Sequence, residues 1–378
     1  MTDAGTADPI IALTADATLH PLVLPARADA GSSPAFRAYA DVRNRCLEET
    51  SGRDDDSFTA DELLPLLTSD AHTHRRQWRI LRGERTIGVA FLNISRDGEG
   101  DTAMSAISVL RDEQGRGIAT AVAGHLEPLA RAEGVRILQM WTEHLPSDGP
   151  TLEPPTGFGS VPRDHTSRFL LAQGWTLEQV DRVSEYRWGE GDELVALLAA
   201  AEQAAAGYRV VQWLLPTPEA RLDGYAWMKS RMSTDAPDAG MDSPEESWDA
   251  DRVREQDSRW LDMGHTVQVT AAEHIATGEL CAYNELSLKG ADDSVTQQND
   301  TLVLAEHRGH RLGLLVKAAG LLSWQERYPR SRRVVTYNAE ENRPMLSINE
   351  QIGFAPIGYG GAWKKVLDLP TVQDHPGG

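Results

Sequence analysis

A short segment containing a glycine-rich loop occurs twice in this chain of 378 residues. The first copy starts at Val109 and reads VLRDEQGRGIA; the second starts at Val303, 194 residues later, and reads VLAEHRGHRLG. Each copy follows a strand-like run and opens into a helix-like segment. A junction of this kind directs several backbone N–H groups at one point, at the positive end of a helix dipole, where phosphate or pyrophosphate binds. The sequence therefore predicts two copies of one ligand-binding domain.

The length of the chain agrees with a duplication, because 378 residues are enough for two domains with separate cores. The first half has the predicted order β-α-α-β-β-β-α-β-α-β, and the second half repeats it. We predict domains at 1–190 and 208–378, joined by an Ala-rich helical linker over 191–207. Loops are predicted for the Pro- and Gly-rich segment 143–162 and for the acidic segment 233–248.

Charge and hydropathy exclude several classes of function. A net charge of −20 disfavours binding to nucleic acid and to anionic membranes. No apolar run is long enough to cross a bilayer, and the N-terminus lacks the features of a signal peptide, so a cytoplasmic protein is expected. Cys46 and Cys281 are far apart in sequence, so we expect reduced, buried thiols and no bound metal. An acidic protein attracts cationic small molecules, although acidity equally favours solubility.

The loop pattern V-x-x-x-x-[QR]-x-x-G-x-[GA] lies between the fourth strand and the helix that follows it, and this arrangement resembles the GCN5-related N-acetyltransferases (GNATs). The closest likeness is to actinobacterial tandem-domain members of the mycothiol-synthase type. The first copy fits the pattern completely, whereas the second has Arg311 in place of its first glycine. The resemblance implies an α/β fold with two tandem GNAT domains. Each would have a mixed, mostly antiparallel sheet flanked by helices, with the fourth and fifth strands splayed around acyl-CoA.

The resemblance also implies a set of cofactor-binding residues. In the first half these are Val109, Leu110, Gln114, Gly115, Arg116, Gly117, Ile118 and Ala119. In the second half they are Val303, Leu304, Arg308, Gly309, His310, Arg311, Leu312, Gly313, Asn338 and Asn342. The co-substrate is expected to be acetyl-CoA or another acyl-CoA, without a metal. On this reading the N–H of Val109 or Val303 stabilises the oxyanion formed when an amine attacks the thioester.

The second half carries the fuller block of family-like polar residues, so we expect the chemistry there. Candidates for the general base are Glu285 and Asp300, each of which could instead be a surface carboxylate. The Tyr that usually serves as general acid is replaced by Asn349 in the second half and by Leu170 in the first. Tyr337 could substitute for it or be a packing aromatic.

The side chains of Asn338 and Asn342 are expected to bind CoA or the acceptor, to cap a helix, or both. Their first-half counterparts are predicted to be Gly159 and Arg163.

The predicted reaction is transfer of an acetyl group from acetyl-CoA to a primary amine of a small cationic metabolite or antibiotic-like compound, by a monomer or homodimer. Acidic links between the first two helices of each half would attract this acceptor, or would simply be solvated. They contain Asp54, Asp55 and Asp56 in the first half and Asp235, Asp238, Asp242, Glu245, Glu246 and Asp249 in the second. Two alternatives remain open: a non-catalytic acyl-CoA sensor, and a tandem acyltransferase that uses another donor.

Overall fold

The computed structural model describes residues 9–26, 33–98, 100–189, 193–235, 239–242, 245–290 and 294–368. The first half comprises β1 (Ile11–Ala12), β2 (Ala17–Pro21), α1 (Pro34–Ser51), α2 (Ala60–Leu67), β3 (Thr73–Arg82), β4 (Arg85–Ser95), β5 (Thr102–Val109), α3 (Ile118–Ala132), β6 (Ile137–His144), β7 (Thr151–Leu152), β8 (Val161–Pro162), α4 (His165–Ala172) and β9 (Thr176–Arg187). Helix α5 (Glu193–Ala204) connects it to the second half.

The second half repeats this order. It comprises β10 (Tyr208–Leu214), α6 (Leu222–Asp235), α7 (Ala250–Asp262), β11 (Thr266–His274), β12 (Leu280–Leu288), β13 (Val295–Val303), α8 (Leu312–Arg327), β14 (Arg333–Ala339), α9 (Arg343–Ile352) and β15 (Ala355–Val366). Among the described residues, no helix combines the length and apolar character needed to cross a bilayer.

Local sequence signals account for several element boundaries. Helix α1 begins after Ser33, whose hydroxyl accepts from the N–H of Phe36, and it ends at Gly52 with φ 74°. Helix α2 begins with a reciprocal capping box between Thr59 and Glu62. The predicted loop over 143–162 is wrong in two respects, since strand β6 extends to His144 and the segment contains the short antiparallel pair β7–β8. Only two residues lie in each of these strands, which is too few for a periodic pattern.

Within the described residues, thirteen strands form one mixed sheet in the order β1-β2-β3-β4-β5-β6-β15-β9-β14-β13-β12-β11-β10. Neighbouring strands are antiparallel except for β5–β6 and β13–β14, which are parallel. The expected α/β architecture, with mostly antiparallel strands flanked by helices, is therefore confirmed.

The two halves exchange their last strands. Strand β9 ends the first half but pairs with β14 of the second, over Asp181–Arg187. Strand β15 ends the second half but pairs with β6 of the first, over Ile137–His144. The indole of Trp363 on β15 is fully buried in the hydrophobic core of the first half. The predicted boundaries at 190 and 208 are untested, and residues 1–8, 190–192 and 369–378 lie outside the described ranges.

Both parallel strand pairs open into a gap. Strands β5 and β6 are paired only from Thr102 to Met104, and β13 and β14 only from Val295 to Gln298. Beyond these points the strands diverge, as the family resemblance implied. On one face the first gap is bordered by α3 and α4, whose residues Val122, Leu126 and Leu170 pack against Leu138 of β6.

Candidate active-site clefts

The first cleft is the cavity of about 490 Å³ between the diverging parts of β5 and β6. Phe169 and Leu170 of α4 line it on one face of the sheet, and Cys46 and Leu47 of α1 line it on the other. The cavity therefore passes through the sheet, so that one molecule could enter from each face. Its walls are mostly apolar, as is usual for a small-molecule site.

The backbone N–H of Val109 points into this gap. The next amide, that of Leu110, donates to Ile87 O on β4 at 3.0 Å. The backbone N–H groups of successive residues in an antiparallel strand point toward its two opposite neighbours. Because the Leu110 N–H points to β4, the Val109 N–H points away from β4 and toward β6. Pairing with β6 has already ended at Met104, so among the described residues this donor has no strand partner and can meet a ligand.

The loop after β5 has the geometry of an anion site. Gly115 and Gly117 both have left-handed backbone conformations, with φ 74° and 77°. Gly117 is the N-cap of α3 and offers no side-chain hydrogen bond, which leaves the N–H groups of the first turn open. Gln114 donates from Nε2 to Val109 O at 3.0 Å, so its side chain fixes the loop against the strand.

The remaining predicted residues of this loop have mixed environments. The side chains of Leu110 and Ile118 are buried in the core, and Ala119 is half-buried. Arg116 is exposed and donates to Asp112 O at 3.3 Å. Leu110, Ile118 and Ala119 can therefore contribute backbone groups, while Arg116 can bring a cation to a bound phosphate.

Two carboxylates line the first cleft on the face of α1. Glu143 of β6 and Asp181 of β9 are both in register with Gly360 of β15, which lies between them. Residues opposite one another across a sheet share a face, and Gly360 has no side chain to separate the two acids. Burial, together with the charge of Glu341, raises the pKa of Asp181 to about 7. Burial also raises the pKa of Glu143, although the Arg53 guanidinium opposes this.

Tyr337 joins this acidic face to the second half. Its hydroxyl donates to Asp56 Oδ2 at 2.7 Å and lies 3.3 Å from Glu143 Oε1. Burial and the nearby carboxylates raise the pKa of Tyr337, so the hydroxyl stays protonated. Tyr337 and Asp56 line both this cleft and the corresponding cavity of the second half. The two cavities thus share one wall.

The second cleft is a cavity of about 760 Å³ between β13 and β14. The N–H of Val303 points into it, because Leu304 N donates to Cys281 O on β12 at 3.0 Å. Arg308 repeats the role of Gln114 and donates from Nε to Val303 O at 3.3 Å. The second loop therefore reproduces the first in backbone and side-chain contacts.

The other predicted residues of the second loop differ in exposure and in backbone conformation. Gly309 has φ 87°, and His310 is exposed, with its ring 5.4 Å from that of Tyr208. Leu304 and Leu312 are buried core residues. Gly313 lies against Ile348, and a Cβ there would come within 2.9 Å of the Ile348 side chain.

Arg311 adopts the left-handed conformation of Gly117, with φ 55°, and is likewise the N-cap of its helix. An L-residue in this conformation is strained by about 1–2 kcal/mol. We expect Arg311→Gly to raise the free energy of unfolding by about 1 kcal/mol in a denaturant titration. Arg311→Ala is the matched control, because it removes the charge but keeps the strain. Equal stability of the Gly and Ala variants would contradict this expectation.

The predicted bases of the second half belong to one ionic cluster, in which Glu285 is buried and Asp300 is half-buried. Asp300 Oδ2 accepts from Lys229 Nζ at 2.7 Å and from the Tyr283 hydroxyl at 3.2 Å. Glu285 accepts from Lys229 Nζ at 3.1 Å and from the Tyr225 hydroxyl. Asp300 lines the second cleft, whereas Glu285 is not among the residues that line it. Burial opposes ionisation of Asp300, but Lys229 outweighs it and lowers the pKa of that carboxyl.

Asn349 is also buried behind the second cleft and does not line it. Its Oδ1 accepts from Lys317 Nζ at 2.9 Å, and its Nδ2 donates to Asn338 Oδ1 at 2.7 Å. Asn338 and Asn342 do line the cavity, and Asn342 also caps α9 by accepting from Met345 N at 3.3 Å.

The predicted first-half counterparts Gly159 and Arg163 are wrong. Since Ile137 and Arg333 begin the two parallel pairings, Thr142 holds the position of Asn338. The N-cap of α4 is Asp164, which corresponds to Asn342. The insertion between β6 and α4 obscured this register in the sequence.

His265 is a further residue of the second cleft that the sequence did not single out. It is buried, stacks on Phe58 with the ring centroids 6.1 Å apart, and lies 5.2 Å from the ring of Trp260. Neither ring nitrogen has a hydrogen-bond partner within the described part of the chain. Burial lowers the pKa of His265 to about 4, so the ring is neutral and can accept or donate a hydrogen bond.

Most of the acidic link residues have structural partners. Asp55 is buried and pairs with Arg53 and Arg333. Of the other predicted residues, Asp235 pairs with Arg231, Asp242 with Lys364 and Glu246 with Arg252, Asp249 caps α7, Asp54 and Glu245 are exposed, and Asp238 lies outside the described residues. Asp56 is therefore the member of the first link that lines the clefts.

Both cysteines are free and buried, as predicted. The thiol of Cys281 lies near Glu279 and His307, with possible ligand atoms within 4.8 Å of one another. The nearby Tyr208 hydroxyl lies 2.8 Å from His307 Nδ1. Burial raises the pKa of Cys281 to about 11, which keeps the thiol protonated. The expected absence of a metal stays a prediction.

Comparisons with known proteins agree with the fold. Residues 39–148 match the model of the acetyltransferase (GNAT) family. Across the whole chain, the structure is similar to a tandem GNAT protein from the clavulanic acid biosynthesis pathway. The TM-score is 0.70 and the identity 23%, with 94% of this chain and 99% of the other covered. This chain is a tandem GNAT-fold protein.

A second structure with this fold is a GCN5-related N-acetyltransferase from Sphaerobacter thermophilus. It has a TM-score of 0.57 and 13% identity, with 95% of this chain and 98% of the other covered. No curated protein has significant sequence similarity to the chain.

Proposed function

We propose that this tandem GNAT-fold protein transfers an acyl group, most simply acetyl, from acyl-CoA to an amine of a small cationic molecule. We further propose that the chemistry takes place in the first cleft, not in the second half as the sequence led us to expect. The observation that carries this proposal is Asp181, a carboxyl group beside the gap with a pKa of about 7. General bases work best when their pKa is close to the operating pH.

The first cleft contains a group for each requirement of the donor. The open N–H groups of the loop at Gly115 and Gly117 suit the CoA pyrophosphate. The gap between β5 and β6 holds the pantetheine arm and brings the thioester carbonyl to the Val109 N–H. That donor stabilises the negative charge that develops on the carbonyl oxygen when the amine attacks.

The acceptor enters from the face of α1. Asp56 and Asp181, together with Glu143 in its ion pair with Arg53, make this face acidic, which favours an ammonium group. Asp181 then removes a proton from the ammonium, directly or through water, and the neutral amine attacks the thioester carbonyl. The Tyr337 hydroxyl, held by Asp56 at 2.7 Å, orients the acceptor.

In this proposal the second cleft has a supporting role. Asp300 is held ionised by Lys229, which makes it a weak base, and His265 has a pKa of only about 4. The second loop retains its backbone geometry and can still bind acyl-CoA, and the shared wall at Tyr337 completes the acceptor site of the first cleft. Glu285 and Asn349 are assigned structural positions behind the second cleft.

A non-catalytic acyl-CoA sensor is the second candidate function. The observation that favours it is the replacement of the usual acid by Leu170 in one half and by Asn349 in the other, since neither side chain can donate a proton as Tyr does. A sensor would bind acyl-CoA in one or both clefts without releasing free thiol.

Calorimetric titration with acetyl-CoA, followed by a thiol-release assay with a panel of polyamines and aminoglycosides, tests the proposal. Gly117→Glu places a carboxylate in the first loop, and Arg311→Glu is its counterpart in the second. We expect Gly117→Glu to abolish turnover and to weaken binding at the first loop at least roughly ten-fold, through repulsion of the pyrophosphate. Turnover lost in Arg311→Glu but retained in Gly117→Glu would place the chemistry in the second cleft. Binding without thiol release for any amine would favour the sensor.

A further inference from the structure

Three side chains at the first cleft form a continuous line of hydrogen bonds. The hydroxyl oxygen of Thr142 lies 2.9 Å from His144 Nε2, and His144 Nδ1 lies 2.8 Å from Asp164 Oδ2. Thr142 and His144 are alternate residues of β6 and therefore point to the same face of the sheet. Asp164 is the N-cap of α4, which packs on that face. A hydroxyl, an imidazole and a carboxylate in this order form the arrangement of a nucleophilic triad.

The charge of Asp164 determines which group donates each hydrogen bond in this line. Burial opposes ionisation of Asp164, but hydrogen bonds from His144 and from the Ser167 amide outweigh it and hold the pKa of the carboxyl below its usual range. An ionised Asp164 can only accept, so a neutral His144 carries its proton on Nδ1. Nε2 is then an acceptor, and the Thr142 hydroxyl donates to it at 2.9 Å in preference to the Gly361 carbonyl oxygen, which is 3.4 Å away. The line is thus arranged to withdraw the proton from Thr142.

The hydroxyl lies where a bound thioester is expected. Thr142 lines the first cleft, as does Leu170. Leu170 holds the position at which the family usually has its acidic Tyr. The free N–H of Val109 faces β6 from the other side of the gap. Trp363 donates from Nε1 to the Thr142 oxygen at 2.9 Å, which occupies one lone pair and leaves the other for attack. The side chain of His144 is fully buried, which protects the base from solvent.

The second half lacks this arrangement. Asn338 takes the place of Thr142, and Glu340 takes the place of His144. Glu340 instead forms an ion pair with Arg182 at 2.8 Å. The hydrogen-bonded line of Thr142, His144 and Asp164 is therefore not needed to form this fold, because the second half has the same fold without it. Capping of α4 explains Asp164, but it does not explain the link through His144 to a hydroxyl in the cavity.

We propose that Thr142 is a nucleophile that accepts the acyl group from acyl-CoA before the amine does. The Thr142 oxygen forms a bond to the thioester carbonyl carbon, and its proton passes to His144 Nε2. The carbon–sulfur bond then breaks, and the leaving thiolate takes the proton from His144. The products are free CoA and an ester on Thr142. The amine then attacks the ester carbonyl from the opposite face of the sheet, where Asp181 lies. The proton that the amine nitrogen loses passes to His144 Nε2, and His144 returns it to the Thr142 oxygen as the carbon–oxygen bond breaks. This step rests on the proposed function, because it requires acyl-CoA in the first cleft, and it replaces direct attack of the amine on the thioester with two successive transfers.

The test is rapid-quench mass spectrometry of the full chain mixed with acetyl-CoA in the absence of an amine. We expect the protein to gain the mass of one acetyl group, located on the peptide that contains Thr142. Thr142→Val keeps the shape of the side chain but lacks the hydroxyl, and should show no adduct and a fall in turnover of roughly 10² or more. Thr142→Ser retains the hydroxyl and should form the adduct. A melting curve of each variant verifies that the fold survives the loss of the Trp363 contact.

Calorimetry on the same proteins separates the two proposals. Acetyl-CoA binding by all three proteins, with the adduct present except in Thr142→Val, supports the nucleophile. Binding without an adduct in the wild type, together with unchanged turnover in Thr142→Val, overturns it and leaves direct transfer to the amine. Failure of the wild type to bind acetyl-CoA removes the proposed function and this step with it.

Discussion

Asp181→Asn is expected to lower kcat by about 10²–10⁴, the usual contribution of a general base, while leaving acetyl-CoA affinity nearly unchanged. The substitution keeps the size and polarity of the side chain but removes its ability to take a proton. Asp181 lines the first cleft on the acceptor side and lies on β9, whereas the loop proposed to bind CoA follows β5. Steady-state thiol release and calorimetry measure the two quantities separately. The matched control is Asp300→Asn in the second cleft, where the carboxylate is already paired with Lys229.

The pH dependence of kcat/KM, compared between the wild type and Asp181→Asn, gives a second test of the role of Asp181. Since burial raises the pKa of Asp181 to about 7, the basic carboxylate form predominates above that pH. We expect kcat/KM to rise through pH 7 in the wild type and to lack this rise in Asp181→Asn. An unchanged pH profile, or a larger loss in Asp300→Asn, would contradict the role of Asp181 as the base.

The same pKa predicts a change in stability of opposite sign to the change in activity. A carboxyl group whose pKa is raised on folding stabilises the fold fully only below its unfolded value, near 4, and loses that contribution as the pH rises to about 7. Asn mimics the neutral acid at every pH. Thermal unfolding should therefore show that the stability of Asp181→Asn, relative to the wild type, increases between about pH 4 and 7 and stays constant above pH 7.

The segment 1–190 produced alone is expected not to give a folded monomer. Without β15, eight residues of β6 lose their antiparallel partner and become an exposed edge, which favours aggregation. The segment also lacks Trp363, whose fully buried indole belongs to the first core. Loss of a buried aromatic side chain alone typically costs about 3–5 kcal/mol, a large part of the stability of a domain. Size-exclusion chromatography and circular dichroism would detect the failure.

Co-production of 1–190 with 193–378 is the control for this experiment. The second fragment supplies β15, so the pair should assemble into a complex with the circular dichroism spectrum of the intact chain. A monodisperse 1–190 fragment that melts cooperatively would show that β15 is dispensable to the first half.

Most of what could be predicted about the fold came from the repeated glycine-rich loop. It identified the strand before each gap and the helix after it, and the order of hydrophobic runs supplied the rest of each half. The exchange of β9 and β15 could not be read in the same way. Neither strand has a regular alternation of buried and exposed residues, and nothing in their residue pattern selects β6 or β14 as the neighbour.

The candidate bases show why chemistry was harder to predict than the fold. Glu285 and Asp300 are carboxylates on strands near the second loop, but Lys229 on α6, distant in sequence, forms an ion pair with each of them. Asp181 acquires its unusual environment from Glu341 and from Gly360, which come from the other end of the chain. The one signal available in the sequence was the glycine cluster at 358–361 inside a strand, which indicates close approach of another group.

The strand exchange also bears on the history of the gene. Each half now completes its sheet with a strand encoded in the other, so deletion of either copy would leave the survivor with an open edge and an incomplete core. Recombination could not easily trade one half for a foreign copy, for the same reason. Differences between the copies, such as Gly117 beside Arg311, therefore lie within a pair whose two sheets depend on each other.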